Sequence, residues 1–268
     1  MDCSKKISVI MAAYNCESTV ADSIESILNQ TYDNIEFIIC DDCSSDKTYE
    51  ILKKYKEKYP DKIILLRNEE NKKLPATLNK CLQYITGDYV ARMDADDLSK
   101  PKRFEKQVEF LQTHPEYDLV STVIEISDGK KITGTIIREE YPEKMTLVRS
   151  GAFSHATIMT YPYVYEKLNG YSLDKYAVRV EDLDLWFRFF NAGFKGYGLQ
   201  EILYTVLEDG NTYDRRAFRY RINSAVTRLR GFKLLGIPKR YWLGAFRTVI
   251  IGLIPSPVYK LLHKKKHG

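Results

Sequence analysis

The stretch Tyr89-Val90-Ala91-Arg92-Met93-Asp94-Ala95-Asp96-Asp97 joins an apolar, strand-like run to three acids. Because side chains alternate along a strand, Asp94 and Asp96 at its end point to the same side. Two carboxylates held that close repel each other unless a cation or a proton lies between them. Such oxygen ligands suit Mg²⁺ or Mn²⁺, which usually arrive with the phosphates of a substrate. The stretch therefore predicts a divalent metal site; for an isolated pair, an acidic turn capping the next helix is the alternative.

The charges of the chain are unevenly distributed. Its 268 residues carry a net charge of +5, and 44% of them are hydrophobic, which is enough for a real core. The last third is rich in Lys and Arg and includes the run Lys264-Lys265-Lys266, which predicts an anionic partner, either a membrane or a nucleic acid. Among the five cysteines, Cys40-x-x-Cys43 alone could be a redox or zinc motif, but no second pair or nearby His completes a site. We therefore expect reduced structural thiols in a cytosolic protein. No signal peptide is predicted.

Strand and helix signals alternate through the first half of the chain. Short β-prone apolar runs occur at residues 7–12, 35–40, 63–66, 89–93 and 119–126. Helical spacing of apolar residues occurs between them, at residues 20–28, 46–58, 74–84 and 102–111. This βαβα pattern predicts an α/β fold with a mostly parallel central sheet and helices on both faces.

Polar residues follow three of the predicted strands where each strand ends. They are Ala13-Tyr14-Asn15, Asp41-Asp42, and the pair Asp94 and Asp96. Ligands of parallel sheets bind outside the carboxyl ends of the strands, so we expect these residues at one site. The chain contains neither a Gly-x-Gly-x-x-Gly segment after the first strand nor a P-loop. These absences argue against dinucleotide and P-loop chemistry.

Ordered segments between about residue 7 and about residue 205 resemble the family 2 glycosyltransferases. They are SVIMAAYN at residues 8–15, SIESILNQTY at 23–32, DDCSSD at 41–46, RMDADD at 92–97 and EDLDLWFR at 181–188. The resemblance implies a GT-A fold, a Rossmann-like α/β architecture, together with a nucleotide-sugar donor and inversion at the anomeric carbon. Cys43 stands where the family usually has glycine, and we expect a local backbone difference there rather than lost activity.

The leaving group of such a reaction is a nucleoside diphosphate, a polyanion whose growing charge a metal must offset. The resemblance makes Asp96 the direct ligand of Mn²⁺ or Mg²⁺ and directs Asp94 towards the ribose or the ion. Asp97 is interpreted as a cap of the helix that starts near Pro101 rather than as a ligand.

The reaction also needs a carboxylate that accepts the proton of the acceptor hydroxyl during in-line attack. Glu181 and Asp182 precede an apolar helical face that would anchor them. The family's pattern favours Asp182 as the base, with Glu181 contacting the acceptor or supporting the base. Without the resemblance, the pair would read as an acidic first turn favoured by the helix dipole.

The resemblance also implies residues for the donor. Tyr14, between Ala13 and Asn15, would stack on the nucleotide base, and Asp42 would accept a hydrogen bond from a uracil ring nitrogen. Asn79 lies on the third predicted helix, where the family often has a polar residue near the nucleotide.

His155 lies in the segment SHATIM, residues 154–159, which resembles the part of the family where the chain returns to the site. Contact with the diphosphate, the acceptor or the metal is one interpretation. A hydrogen-bonded structural histidine is the other, and the sequence gives the two equal weight.

We expect two domains: residues 1–210, with a nucleotide-binding half at 1–100 and an acceptor half at 101–210, and a basic, apolar helical extension at 211–268. The apolar stretch 242–258 is interrupted by Arg247, Pro255 and Pro257 and is too short to span a bilayer. Beside a cationic cluster it suits an anchor on an anionic membrane surface, which places the protein in the cytoplasm at the inner face of the membrane. A helix docked on the protein is the alternative.

The predicted function is transfer of a hexose from a nucleotide sugar, expected to be UDP-linked, to a saccharide or lipid-linked saccharide. The expected pathway is the synthesis of a bacterial surface polysaccharide such as a capsule. The alternative is a sugar-phosphate nucleotidyltransferase. Such enzymes typically carry a Gly-rich, cationic loop after the first strand, and residues 12–17 contain neither glycine nor a cation. A nucleic-acid partner is not expected, because the chain shows no basic sheet face with interleaved aromatic residues.

Overall fold

The computed structural model describes residues 2–208 and 218–252. Its strands are β1 (Ile7–Ala13), β2 (Ile35–Asp41), β3 (Ile63–Arg67), β4 (Tyr89–Asp94), β5 (Asp97–Ser99), β6 (Leu119–Ser127), β7 (Ile132–Ile136), β8 (Met159–Thr160) and β9 (Gly196–Leu207). Its α-helices are α1 (Val20–Leu28), α2 (Thr48–Lys58), α3 (Lys73–Leu82), α4 (Arg103–Thr113), α5 (Thr146–Arg149), α6 (Pro162–Leu168), α7 (Glu181–Asn191), α8 (Phe218–Leu234) and α9 (Arg247–Gly252). Two 3-10 helices span His155–Thr157 and Lys239–Phe246.

All the strands of the described residues belong to one sheet, in the order β3-β2-β1-β4-β8-β6-β9-β5, with β7 paired to β6. Strands β3, β2, β1 and β4 run parallel to one another, and so do β6 and β9. The two-residue strand β8 pairs antiparallel with both β4 and β6 and so joins the two groups. The predicted α/β fold is confirmed, and each of the five predicted strands and four predicted helices is present.

Both faces of the sheet are buried. Val9 and Met11 of β1 lie on one face and Ile10 lies on the other, as the alternation of a strand requires. Helices α1 and α4 cover the first face, and α3 and α7 cover the second, with buried contributions from Ile24, Phe104, Leu78 and Trp186. Burial on both faces explains why the parallel strands read as continuous apolar runs.

A buried polar network fixes the strand that ends in the aspartates. Arg103 at the start of α4 is fully buried, and its guanidinium donates to the carbonyl of Arg92 at 2.7 Å and to the side chain of Gln107 at 3.1 Å. Gln107 in turn donates to the carbonyl of Thr157 at 2.8 Å. Because each buried donor has an acceptor, the network holds β4, α4 and the first 3-10 helix in one arrangement.

The C-terminal helices of the described part pack against α7. A Cβ on Gly231 of α8 would lie 2.2 Å from the ring of Phe187, so the two helices approach closely at this glycine. Phe187 also meets the ring of Phe232 edge to face, 5.8 Å between centroids. In the described part of the chain, no helix is both long enough and apolar enough to cross a bilayer. The predicted basic run at 264–266 and much of the stretch 242–258 lie outside the described residues.

Candidate active site

Strands β1, β2 and β4 end side by side at one edge of the sheet. Ala12 pairs with Asp94 and Ala13 pairs with Asp41, so the polar residues after each strand are neighbours. The carbonyl of Ala13 also accepts a hydrogen bond from the backbone N–H of Asp42 at 2.8 Å. The convergence that the sequence predicted at the carboxyl ends of these strands is therefore present.

The loop after β1 is fastened to the loop after β2. The backbone N–H of Asn15 donates to Ser44 Oγ at 3.0 Å, and the side-chain oxygen of Asn15 accepts from the backbone N–H of Ser45 at 2.9 Å. Asn15 and Cys43 have φ angles of +49° and +60°, in the left-handed region that favours glycine. Cys43 thus carries local strain in this loop. Tyr14, the first residue after β1, is half exposed.

Asp42 is a buried carboxylate with three donors. Asn68 Nδ2 and the backbone N–H of Lys72 each donate to it at 2.8 Å, and the backbone N–H of Lys73 donates at 2.9 Å. These bonds hold the turn that leads into α3. A carboxylate has about four lone-pair sites, so three internal donors leave one for a ligand.

Asn79 is engaged with the protein itself. Its side-chain oxygen accepts from the backbone N–H of Tyr171 at 2.7 Å, and its nitrogen donates to the carbonyl of Tyr171 at 2.8 Å. It also borders a cavity of about 980 Å³, which is lined by the end of α3, residues 85–87, α6 and residues 169–173. None of the aspartates after β4 lines that cavity. The structure therefore gives Asn79 a structural partner, the backbone of Tyr171.

The three acids after β4 form one cluster. Ligand oxygens of Asp94, Asp96 and Asp97 all lie within 4.8 Å of one another. Burial raises the pKa of Asp97 to about 8, and the charges of Asp94 and Asp96 act in the same direction. Three carboxylates grouped this closely are a donor set that a hard divalent cation prefers. The residues present therefore fit Mn²⁺ or Mg²⁺.

The interpretation of Asp97 as a helix cap is wrong. The residue begins β5, and its carboxylate accepts from the backbone N–H of Leu207 at 3.3 Å. Helix α4 begins further along, after Lys102, with no side-chain cap. The chain forms a three-residue strand paired with β9 before the helix, and this pairing turns the Asp97 side chain into the acidic cluster.

Arg92 fixes Asp94. Its guanidinium is buried and holds both carboxylate oxygens of Asp94, one of them at 3.1 Å. The backbone N–H of Asp94 donates to the hydroxyl of Tyr204 at 3.2 Å. Arg92 Nε is buried and has no hydrogen-bond partner among the described residues. A charge-assisted, two-point contact of this kind sets the orientation of the first aspartate of the cluster.

Glu181 and Asp182 form the first turn of α7, which the buried rings of Trp186 and Phe189 anchor in the core. Burial raises the pKa of both acids, and the charge of Arg92 opposes the rise in each. Arg92 therefore lies within electrostatic reach of the aspartate cluster and of this acidic pair. Asp182 accepts from the backbone N–H of Leu183 at 2.7 Å. One carboxylate oxygen of Glu181 has no hydrogen-bond partner in the described part of the chain.

His155 contacts α7, the helix that carries Glu181 and Asp182, and is hydrogen-bonded within the protein. Its Nε2 is 2.8 Å from the hydroxyl of Tyr171, which is 3.0 Å from the hydroxyl of Tyr165. Its ring meets Trp186 edge to face. Burial, with the charge of Arg92, lowers the pKa of His155 well below its ordinary value, so the imidazole is neutral at neutral pH.

Sequence reasoning missed Arg92 and Tyr204 as parts of the site. A signal for Arg92 was present, because a lone cation inside an apolar strand needs an anionic partner once it is buried. No comparable signal marked Tyr204, since an aromatic residue in a strand reads as ordinary core.

The chain was compared with known proteins. The model of the family "Glycosyl transferase family 2" matches residues 8–166. EpsE of Bacillus subtilis, whose name assigns it to the glycosyltransferases, is 44% identical over 266 residues, which are 99% of this chain and 96% of EpsE. The Escherichia coli protein WfaP, named UDP-Glc:alpha-D-GlcNAc-diphosphoundecaprenol beta-1,3-glucosyltransferase, is 40% identical over 107 residues, which are 40% of this chain and 41% of WfaP.

Solved structures share the fold. The structure of S. aureus TarS residues 1–349 in complex with UDP-GlcNAc has a TM-score of 0.68 at 16% identity, covering 98% of this chain and 87% of that TarS fragment. The mannosyltransferase PcManGT of Pyrobaculum calidifontis, with GDP-Man and Mn²⁺, has a TM-score of 0.66 at 18% identity, covering 97% of this chain and 79% of PcManGT. The fold is therefore that of the GT-A glycosyltransferases, and the chain belongs to glycosyltransferase family 2.

Proposed function

We propose that this chain transfers a hexose from a UDP-linked sugar to a saccharide or lipid-linked saccharide, with inversion and with the help of a divalent metal ion, in the synthesis of a cell-surface polysaccharide. One observation carries the proposal. A cluster of three aspartates at the end of β4 lies within reach of the same buried arginine, Arg92, as the acidic first turn of α7. A metal site for a diphosphate and a carboxylate for an acceptor are the two parts that the reaction requires.

The metal would be held by Asp96, with Asp94 towards the ribose or the ion and Asp97 beside them. Bound there as Mn²⁺ or Mg²⁺, it would supply positive charge against the departing diphosphate. Arg92 keeps the Asp94 carboxylate in one orientation, and Tyr204 holds its backbone. The likeness to a fold neighbour that contains Mn²⁺ supports the choice of ion.

Asp182 is proposed as the base, with Glu181 supporting it or contacting the acceptor. Burial raises the pKa of Asp182, which makes its carboxylate a stronger base than one in water. Arg92 and Arg138 act against that rise and so favour the ionised form, which can take the acceptor's proton. Attack from the side opposite the diphosphate gives inversion.

The donor would be held by the loops after β1 and β2. Tyr14, with half of its surface exposed, is available for stacking on the nucleotide base between Ala13 and Asn15. Asp42 retains one acceptor site for a uracil N–H. Asn79 would stabilise the fold through the backbone of Tyr171 and would not contact the donor.

The acceptor is proposed to be lipid-linked. The name of WfaP describes a UDP-glucose donor and a diphosphoundecaprenol-linked acceptor. Exposed apolar side chains follow α8, and cationic residues lie among them, a combination that suits an anionic membrane surface. The exposed residues are Leu243, Phe246 and Ile250, and the cations are Lys239, Arg240 and Arg247. Such a surface supports the proposal that the enzyme acts at the inner face of the membrane.

The assay that tests the proposal measures release of nucleoside diphosphate from a panel of nucleotide sugars, with and without extracted lipid acceptor and with and without MnCl₂. Release that needs a UDP-linked sugar, the metal and the lipid together is the expected result. Release that does not depend on MnCl₂ would show that the aspartate cluster does not hold a metal ion needed for the reaction. If only a soluble saccharide stimulates release, the acceptor is that saccharide and not a lipid-linked one.

A further inference from the structure

Two arginines beside the acceptor-side acids lack a carboxylate of their own. Arg138 lies between β7 and α5, and Arg228 lies on α8. Within residues 2–208 and 218–252, neither forms an ion pair with an acid, whereas the neighbouring Arg149 pairs with Glu139 at 3.1 Å. Arg149 is also largely exposed, at 72% of its side-chain surface. Arg138 and Arg228 are partly buried, and neither has a carboxylate partner like the one that neutralises Arg149.

Both guanidinium groups lie against one short segment. Arg228 donates to the carbonyl of Leu147 in α5 at 2.5 Å. The guanidinium of Arg138 is 3.9 Å from the position that a Cβ would take on Gly151, two residues beyond the end of α5. Arg138 Nε is buried and has no hydrogen-bond partner among the described residues. A buried, charged donor that is left unpaired is costly, so a polar ligand is expected to satisfy it.

The surroundings carry an excess of positive charge. Asp182 is the anion that both arginines face, and Arg92 faces it as well. Arg247 adds a further cation beside Arg228. Burial lowers the pKa of Arg138 and of Arg228, and Asp182 opposes the change in each. Arg138 and Arg228 thus share one nearby carboxylate, and this imbalance favours an anionic ligand.

We propose that Arg138 and Arg228 form an anion subsite that binds a phosphate or diphosphate group of the acceptor next to Asp182. Arginine suits this task because its planar guanidinium donates two parallel hydrogen bonds to phosphate oxygens. A phosphate fixed at this point would orient the attached sugar so that its hydroxyl meets Asp182. The inference rests on the proposed function, in which Asp182 accepts the proton of that hydroxyl. A lipid diphosphate and a soluble sugar phosphate carry the same chemistry.

The experiment is calorimetric titration of the full-length protein, loaded with saturating UDP and MgCl₂, with three probes. Geranyl diphosphate represents a lipid diphosphate, N-acetylglucosamine 1-phosphate represents a sugar phosphate, and geraniol is the uncharged control. The variants are Arg138→Gln, Arg228→Gln and the conservative Arg138→Lys. Arg149→Gln removes a charge from the same region and serves as the matched control. Thermal unfolding and UDP affinity show that each variant is folded.

The subsite predicts that geranyl diphosphate binds and geraniol does not. Arg138→Gln and Arg228→Gln each weaken binding by roughly tenfold or more, while Arg138→Lys weakens it less and Arg149→Gln leaves it unchanged. Tighter binding of N-acetylglucosamine 1-phosphate than of geranyl diphosphate would identify a sugar phosphate as the source of the anion. Binding that is insensitive to both Gln variants, or equally sensitive to Arg149→Gln, would overturn the subsite.

The same titration separates failure of the subsite from failure of the proposed function. If UDP does not bind the wild-type protein, the proposed function fails, and the probes are then titrated without UDP to judge the subsite alone. If UDP binds but displaces geranyl diphosphate, the two arginines belong to the donor site, and the acceptor subsite is overturned.

Discussion

The proposed donor half, residues 1–100, and the proposed acceptor half, residues 101–210, position their functional residues by different means. In the donor half, β1, β2 and β4 run parallel, and their carboxyl ends bring Asn15, Asp42 and Asp94 to one edge of the sheet. In the acceptor half, the acids lie on the first turn of α7, which is fixed by buried rings and not by strand pairing. Strand order thus determines the first arrangement, while side-chain packing determines the second.

The largest expected effect is on the donor half. Asp96→Ala removes the proposed main ligand of the metal and with it the charge that offsets the leaving diphosphate. We expect the rate of transfer to fall by roughly 10³-fold or more. Asp88→Ala is the matched control, because Asp88 is an exposed acid at the other end of the same strand. Metal-stimulated turnover retained in Asp96→Ala would show that the cluster does not serve the metal.

The pH profile tests the acceptor half. Burial raises the pKa of Asp182, and an acid with a raised pKa becomes protonated at a higher pH than an exposed one. A base must be unprotonated, so kcat at saturating acceptor should fall with decreasing pH earlier than for an exposed aspartate. Arg138 lowers the pKa of Asp182, so Arg138→Gln should move this limb to higher pH. An unchanged limb in Arg138→Gln, matching that of Arg149→Gln, would contradict the assignment.

Asn79 tests the connection between the halves. Asn79→Ala leaves the backbone N–H and carbonyl of Tyr171 without their partners, and we expect a loss of about 1–3 kcal/mol in the free energy of unfolding. Denaturant titration measures this change, and the affinity for UDP should stay the same. Gln83→Ala, at an exposed position just beyond α3, is the control and should change stability little. A weaker affinity for UDP with unchanged stability would return Asn79 to the donor site.

The smallest expected effect is at Cys43. Its φ of +60° disfavours any residue with a Cβ, so Cys43→Gly should stabilise the protein by about 1 kcal/mol. Thermal unfolding should show a rise in Tm of about 2–4 °C. Cys43→Ala keeps the Cβ and should show no such rise. Equal stabilisation by both substitutions would mean that the strain does not come from the backbone.

Much of the donor half could be predicted from the sequence, because its strands are five to seven residues long and alternate with amphipathic helices. Beyond β4, β8 has two residues and β5 has three, too few to show a period. The failure to predict β5 led directly to the wrong interpretation of Asp97. Asn79 and His155 both bond to Tyr171, which lies 92 and 16 residues from them in sequence. No local sequence pattern therefore indicated this shared partner.

The central claim is that the donor half binds the nucleotide sugar while Asp182 acts on the acceptor alone. Its most direct test measures, in Asp182→Asn, both the affinity for the metal-loaded UDP-sugar and the rate of transfer. Asp184→Asn is the control, because it alters the same turn and breaks only the ion pair with Arg188. The account predicts unchanged donor affinity and a transfer rate lower by roughly 10²–10⁴-fold. A transfer rate near that of the wild type, or a loss of donor binding that explains the lower rate, would contradict it.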